Sequence, residues 1–113
     1  MKEIMYIVIN NELGMSKGKI AAQVSHAAVR ASHIYKMLYE EKWKKWFDVH
    51  STKIVLKSDE ATMIKILSMS SIITAGVRDE GRTEVAPGSL TALALVPMER
   101  ERVPDIIKEM KLL

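Results

Sequence analysis

The strongest constraint on this chain is what separates two short apolar runs near its start. Ile4–Ile9 and the segment KIVLK, Lys53–Lys57, each have the length and β-branched character of a strand. Between them, from Ser16 or Lys17 toward Tyr39, apolar residues Ile20, Val24, Ala27, Ala28, Ala31, Ile34, Tyr35 and Leu38 recur at helical spacings of three and four. A strand, a long helix and a second strand make a crossover, which returns the second strand parallel to the first. This order commits the chain to an α/β fold rather than a bundle or a sandwich.

The rest fits around that unit. A second short helix is expected over residues 41–47, with Trp43, Trp46 and Phe47 as packing residues. Ser58 and Asp59 offer a cap before Glu60, and Met63, Ile64, Ile66 and Leu67 make the buried stripe of a helix ending near Ser70. Ile72–Val77 and Thr91–Val96 read as two strands joined without a helix, which favours an antiparallel pair. A last helix is expected from about Arg100 to Met110, with Pro104 tolerated only in its first turn. The order β-α-α-β-α-β-β-α implies a mixed sheet with helices on both faces. One domain over residues 1–113 is expected, since 48% hydrophobic content suffices for a modest core and no repeat or linker interrupts it.

Several function classes fall away on composition. Cysteine is absent, which removes disulfides, thiolate metal sites and thiol nucleophiles. Glu3 sits where a signal peptide needs positive charge, and the uncharged stretch Val85–Met98 holds two prolines and is too short to span a bilayer. A soluble cytoplasmic protein without a membrane partner is therefore expected. The net charge of +3 is unevenly spread: residues 1–57 carry ten Lys or Arg against five Asp or Glu, and residues 58–113 carry seven against nine. A basic first half suits a polyanionic partner, although a solvated helix around Lys42, Lys44 and Lys45 would account for the same excess.

Open sheets of this kind place their sites at strand ends and helix starts, which singles out two loops. The first, NNELGMSKGKIAAQ from Asn10 to Gln23, fails as a P-loop. Only Met15, Ser16 and Lys17 separate its two glycines, and Ile20 rather than a hydroxyl follows Lys19. It still places Lys17 and Lys19 beside the free N–H groups of a helix start, where an anion or a developing oxyanion would be stabilised. A lysine-bearing loop without a ligand fits the pattern equally well. Further along, Lys19, Gln23, His26, Arg30 and His33 follow one another at spacings of four, three, four and three and so share a helix face. That face is either a site wall or simply the solvated side of an amphipathic helix. Two histidines seven apart, with no carboxylate at ligand spacing, make a poor zinc site, and no metal is expected. The second loop, RDEGRTEVAPGSLT from Arg78 to Thr91, gathers Asp79, Arg82, Thr83, Glu84, Ser89 and Thr91 on a connection between two strands. A rigid sheet would aim such groups at a substrate, or they would stabilise a wide turn.

Taken together the two loops resemble the signatures of the type 2 peptidyl-tRNA hydrolases of archaea and eukaryotes. MSKGKIAAQVSHAA, Met15–Ala28, is similar to the first signature, and RDEGRT followed by APGSLTALALVP to the second. The resemblance continues to the terminal KLL. It implies a mixed four-stranded sheet flanked by helices, and hydrolysis of the ester joining a peptide to the 3′ end of its tRNA, with no metal or organic cofactor. It also implies Lys19, Gln23, His26, Asp79 and Thr83 as catalytic residues, with Arg82 and Thr91 on recurrent motif positions as candidate substrate-binding residues. The sequence departs from the pattern beside the first motif, where Asn10, Asn11 and Glu12 stand in place of a usual Arg and acidic residue, and Ser16 replaces a usual glycine. If that arginine serves nucleic-acid binding, Lys17 or another basic residue must take over.

On this reading water attacks the ester carbonyl, Asp79 orients or deprotonates the water, and Lys19 lies near both Asp79 and the oxyanion, with Gln23 and Thr83 as hydrogen-bond partners. A neighbouring ammonium weakens Asp79 as a base while stabilising the tetrahedral intermediate. Lys17, Arg30, Lys36 and Arg82 are the candidates for phosphate contact, because an enzyme serving every tRNA cannot depend on base sequence. The expected partner is peptidyl-tRNA. A homodimer remains open, as does a non-catalytic RNA-binding module in which Asp79 is only structural.

Overall fold

A computed structural model describes residues 2–81 and 84–113. The first strand, β1 (Glu3–Asn10), is apolar along almost its whole length because both of its faces are covered. Met5, Ile7 and Ile9 point into one core, and Ile4, Tyr6 and Val8 into another on the opposite side. The long helix α1 (Lys17–Leu38) covers the first core through Ala27, Ala31 and Tyr35, and its two buried alanines let the helix backbone approach the sheet closely. Leu38, expected in the buried stripe, is exposed because the helix breaks at Tyr39.

Helix α2 (Glu40–Val49) folds back on α1. Trp43 donates its indole N–H to Ser32 Oγ at 2.9 Å, and the buried Trp46 donates to the Thr52 carbonyl at 3.2 Å. Phe47, expected to pack inward, stacks on Trp43 at 4.8 Å and stays half exposed. Strand β2 (Lys53–Ser58) then pairs parallel with β1, Ile7 opposite Val55, as a crossover requires. Helix α3 (Glu60–Leu67) is capped by Asp59, whose Oδ1 accepts from the Thr62 N–H at 2.7 Å, and it buries Met63 and Ile66 in the second core. Its Ile64 faces solvent, since two turns bury one narrow stripe.

Strands β3 (Thr74–Arg78) and β4 (Leu90–Leu95) pair antiparallel, and β4 also pairs antiparallel with β1. β3 therefore runs in the same direction as β1 and β2, and the three strands end on the same side of the sheet. The ladder between β3 and β4 slips once, with Val77 opposite Ala92 and Arg78 opposite Leu90. Thr91 is the extra residue of this bulge.

Among the described residues the sheet has six strands rather than four. Two-residue strands β5 (Met98–Glu99) and β6 (Lys111–Leu112) extend it, pairing antiparallel with β1 and β2 respectively. The closing helix is also shorter than expected. Arg100–Arg102 form a single 3₁₀ turn, and α4 spans only Asp105–Lys108. Pro104 is the cause: a residue before proline is driven out of the helical region, and Val103 is extended at φ −68°, ψ 133°. α3 and α4 cover the second core while α1 and α2 lie on the other face, so helices flank the mixed sheet on both sides.

Candidate active site

The loop after β3 turns back on itself at once. The Asp79 N–H donates to the Ser89 carbonyl at 2.9 Å, and the Gly88 N–H donates to the Asp79 carbonyl at 2.8 Å. Gly81 is held at φ +78°, and a Cβ there would lie 2.4 Å from Pro87 Cγ, so no other residue fits this turn without displacing backbone. The Gly81 N–H donates to Asp79 Oδ2 at 2.6 Å.

The other oxygen of Asp79 meets helix α1. Lys19 Nζ donates to Oδ1 at 2.5 Å, joining residues sixty positions apart in sequence, and the two side chains keep only 11% and 7% of their surface exposed. The pair stands at the mouth of a cleft of about 560 Å³ between the first half of α1 and the end of β3, with Gln23, His26, Arg30 and Arg78 along its walls. The Lys19 hydrogen bond holds the Asp79 carboxyl below its usual range, with smaller help from the Gly81 N–H and the charges of Lys19 and His26, against the opposing effect of partial burial. Asp79 is therefore ionised, and each of its oxygens already accepts a hydrogen bond.

A larger groove, about 820 Å³, opens at the other end of the sheet beside Tyr35, Tyr39, Trp46, Ile73 and Met98. It is larger but receives none of the paired side chains that mark the smaller cleft, and it lies off the end of the sheet at which β1, β2 and β3 terminate. Its lining includes charged side chains such as Glu3, Lys45 and Glu99, but the residues contributed by the two motif loops line the smaller cleft.

Gln23 is buried although it belongs to the polar face of the sequence pattern. Thr91 donates its hydroxyl to Gln23 Oε1 at 2.5 Å, with the Val77 carbonyl at 3.2 Å as a second acceptor. The bulge makes this possible. In an unbroken ladder Thr91 would share the face of Leu93 and Leu95, in the core away from α1; the slip turns it toward the helix. Thr91 is thus fully buried, where substrate contact was expected, and supports Gln23 from beneath.

The other expected residues fall into three groups. His26 and Arg30 line the cleft, and Arg30 Nη1 donates to the Gly76 carbonyl of edge strand β3 at 3.1 Å. Lys17 is exposed at the first residue of α1, whereas Lys36 lies near the far end of the helix over the Trp43 ring at 5.0 Å, away from the cleft. Arg82 and Thr83 lie outside the described residues.

Both departures from the family pattern have structural work. Asn10 is 1% exposed; its Nδ2 donates to the Leu90 carbonyl at 2.9 Å and to Glu60 Oε1 at 3.2 Å, and its Oδ1 accepts from the Glu12 N–H at 3.0 Å. It fastens β1, β4 and α3 together and cannot stand in for a phosphate-binding arginine. Ser16 caps α1 and is gripped by Glu84 through its N–H at 2.8 Å and through its hydroxyl. The sequence pattern placed Glu84 among the polar groups of the second loop without a role of its own, and gave Arg78 no part in the site. Arg78 lines the cleft while its Nη1 donates to the Gly88 carbonyl at 3.0 Å. The available signal was position, since Arg78 opens the RDEGRT motif and Glu84 directly follows it. Among the described residues no three His, Cys, Asp or Glu side chains gather as a metal site, and no helix is long and apolar enough to cross a membrane.

Comparison with known proteins identifies the family. The sequence profile of the family described as Peptidyl-tRNA hydrolase PTH2 matches residues 3–113. A peptidyl-tRNA hydrolase of Thermoplasma acidophilum is 38% identical, with 100% of both chains covered. One from Methanococcus maripaludis is 36% identical over 95% of this chain and 96% of its own length. The human protein named Peptidyl-tRNA hydrolase 2, mitochondrial, is 38% identical over 96% of this chain, which spans 63% of that longer protein. With two signature loops brought together at one sheet end and a family profile matched across nearly its full length, the chain belongs to the type 2 peptidyl-tRNA hydrolase family.

Proposed function

We propose that this chain hydrolyses the ester bond of peptidyl-tRNA, releasing free tRNA and a peptide acid, in the cytoplasm and with no metal. The observation that carries the chemistry is the sequestered Lys19–Asp79 pair at 2.5 Å beside the open cleft. An ammonium held in a site of low water content is worth more to a developing oxyanion than one in bulk solvent. Water adds to the ester carbonyl and gives up one proton to the surrounding water, the negative charge gathers on the former carbonyl oxygen facing Lys19, and collapse expels the ribose 3′ oxygen, which takes one proton back from that water.

Asp79 acts here mainly by holding the Lys19 ammonium in place. Its depressed pKa makes it a poor base, and both of its oxygens are already bonded to Lys19 and Gly81. Gln23, fixed by Thr91, and His26 orient the water and the ester on the adjoining wall, with Thr83 of the second motif as a further hydrogen-bond partner. Arg30 and Arg78 each keep guanidinium donors beyond the Nη1 that meets a backbone carbonyl, and with Lys17 and Arg82 they meet the tRNA backbone. Binding by phosphate contacts requires substrate affinity to fall steeply with salt.

The test is cleavage of peptidyl-tRNA by purified protein in the presence of a chelator. Lys19→Ala should lower kcat about 10²–10³-fold, the cost of losing one oxyanion donor, and Asp79→Asn should act in the same direction. A wild-type protein that leaves peptidyl-tRNA intact would overturn the proposal. A wild type whose activity survives Asp79→Asn unchanged would remove the role given to the ion pair.

A further inference from the structure

Besides the ion pair, the second loop meets the very start of helix α1 through Glu84. Glu84 directs both carboxylate oxygens at Ser16, sixty-eight positions away in sequence: Oε2 accepts from the Ser16 N–H at 2.8 Å, and Oε1 accepts from the Ser16 hydroxyl. Ser16 in turn caps α1, its Oγ accepting from the Lys19 N–H at 3.3 Å. A continuous chain therefore runs from Glu84 through Ser16 to the backbone of Lys19, and closes through Lys19 Nζ onto Asp79, five residues before Glu84 in the same loop.

We propose that Glu84 is a positioning residue for this reaction, which fixes the first turn of α1 against the second loop and so sets where Lys19 presents its ammonium. The inference rests on the reading of Lys19 given above. Two features separate it from a plain surface contact. Glu84 is exposed on the lip of a cleft that has to admit a polyanion, where a carboxylate opposes binding. Its placement is thus accounted for by what it holds and not by what it attracts. The acidic group also faces the amino end of a 22-residue helix, where the N–H dipoles favour a negative charge and keep the clasp closed.

Substitution at Glu84 distinguishes positioning from folding and from direct substrate contact. Glu84→Ala should lower kcat by about 10- to 100-fold, the penalty for a reacting group displaced by about an ångström, while KM stays level or falls. Glu84→Gln keeps an acceptor for the Ser16 N–H and offers its amide N–H to the Ser16 hydroxyl, so it should restore most of kcat. Ser16→Ala should lower kcat less than Glu84→Ala does, and the double variant should lose far less than the product of the two single losses, because both act through one linkage. The proposal is overturned by unchanged kcat in a folded Glu84→Ala protein, by a loss appearing only in KM, by failure of Gln to rescue, or by fully multiplicative effects. Wild-type cleavage tests the underlying reaction separately from all of these.

Discussion

Helix α1 sends a polar side chain onto the sheet near each of its ends, and the two contacts are built alike but serve different purposes. Near the start, Gln23 accepts a hydrogen bond from buried Thr91; near the end, Tyr35 donates one to Glu3. Each lies beside a groove, and the groove at Tyr35 is the larger. At the Tyr35 end, burial first, and then the hydrogen bond and charge of Glu3, push the phenol above its ordinary range, so that it stays neutral at any working pH. At the Gln23 end stands an ammonium–carboxylate pair that is charged at neutral pH. Volume does not tell the two apart. What distinguishes the site is fixed charge aimed into a partly desolvated space at the sheet end where the parallel strands finish.

The largest break in this comparison is expected from Thr91→Val. It keeps the shape of the side chain and strips Gln23 of its donor within the core, leaving a buried acceptor unsatisfied at about 1–3 kcal/mol. Because Gln23 also faces the cleft, kcat should fall about 10-fold as its amide loses its fixed orientation. Thermal unfolding and turnover measured together decide the point. A protein that loses stability but keeps kcat would make Gln23 a core residue and reduce the two helix ends to equivalents.

That prediction also shows what could be read from sequence alone. The parallel crossover, the antiparallel pair and helices on both faces follow from hydrophobic period, because burial selects one face of a helix and both faces of β1. Lys19 and Asp79 were legible as motif residues, and their meeting was expected only through the family resemblance, since nothing in a one-dimensional pattern states that two loops sixty residues apart share a cleft. Thr91 was misread for a deeper reason. Strict alternation places it with Leu93 and Leu95 on the wrong face, and only the one-residue slip between Val77 and Arg78 redirects it. The closing segment failed in a more avoidable way, because Pro104 already forbids a helix running through Val103.

A smaller but more diagnostic effect is electrostatic. The Lys19 hydrogen bond is the largest influence lowering Asp79, and burial works against it. Asp79 thus stays ionised below the usual carboxylate range, and the stability linked to it is present above that range and is lost only as pH falls through the depressed value. Once Lys19→Ala removes that bond, burial remains, opposed only by the Gly81 N–H and the His26 charge, and the Asp79 midpoint should move up. Carbon-detected NMR of the carboxyl in wild type and variant reads the shift directly. An unmoved midpoint would mean that Gly81 and His26, rather than Lys19, keep Asp79 charged, and the site would lose the coupling that sets it apart from the Tyr35 end.

The smallest effect on activity is expected from Tyr35→Phe, and it tests the comparison from the other side. Tyr35 is 2% exposed, so the substitution leaves ring packing in place and removes a single hydrogen bond to Glu3. One such bond is worth about 1–1.5 kcal/mol net, rising somewhat when the acceptor is charged. The partner left behind belongs to an edge of the larger groove and can be hydrated there, which moderates the penalty. The protein should therefore melt a few degrees lower while kcat and KM for peptidyl-tRNA stay within about twofold, since nothing at this end reaches Lys19 or Asp79. A marked change in kcat would show that the far end of α1 is coupled to the cleft. Fixed charge beside the strand ends would then be the wrong basis for separating the two grooves.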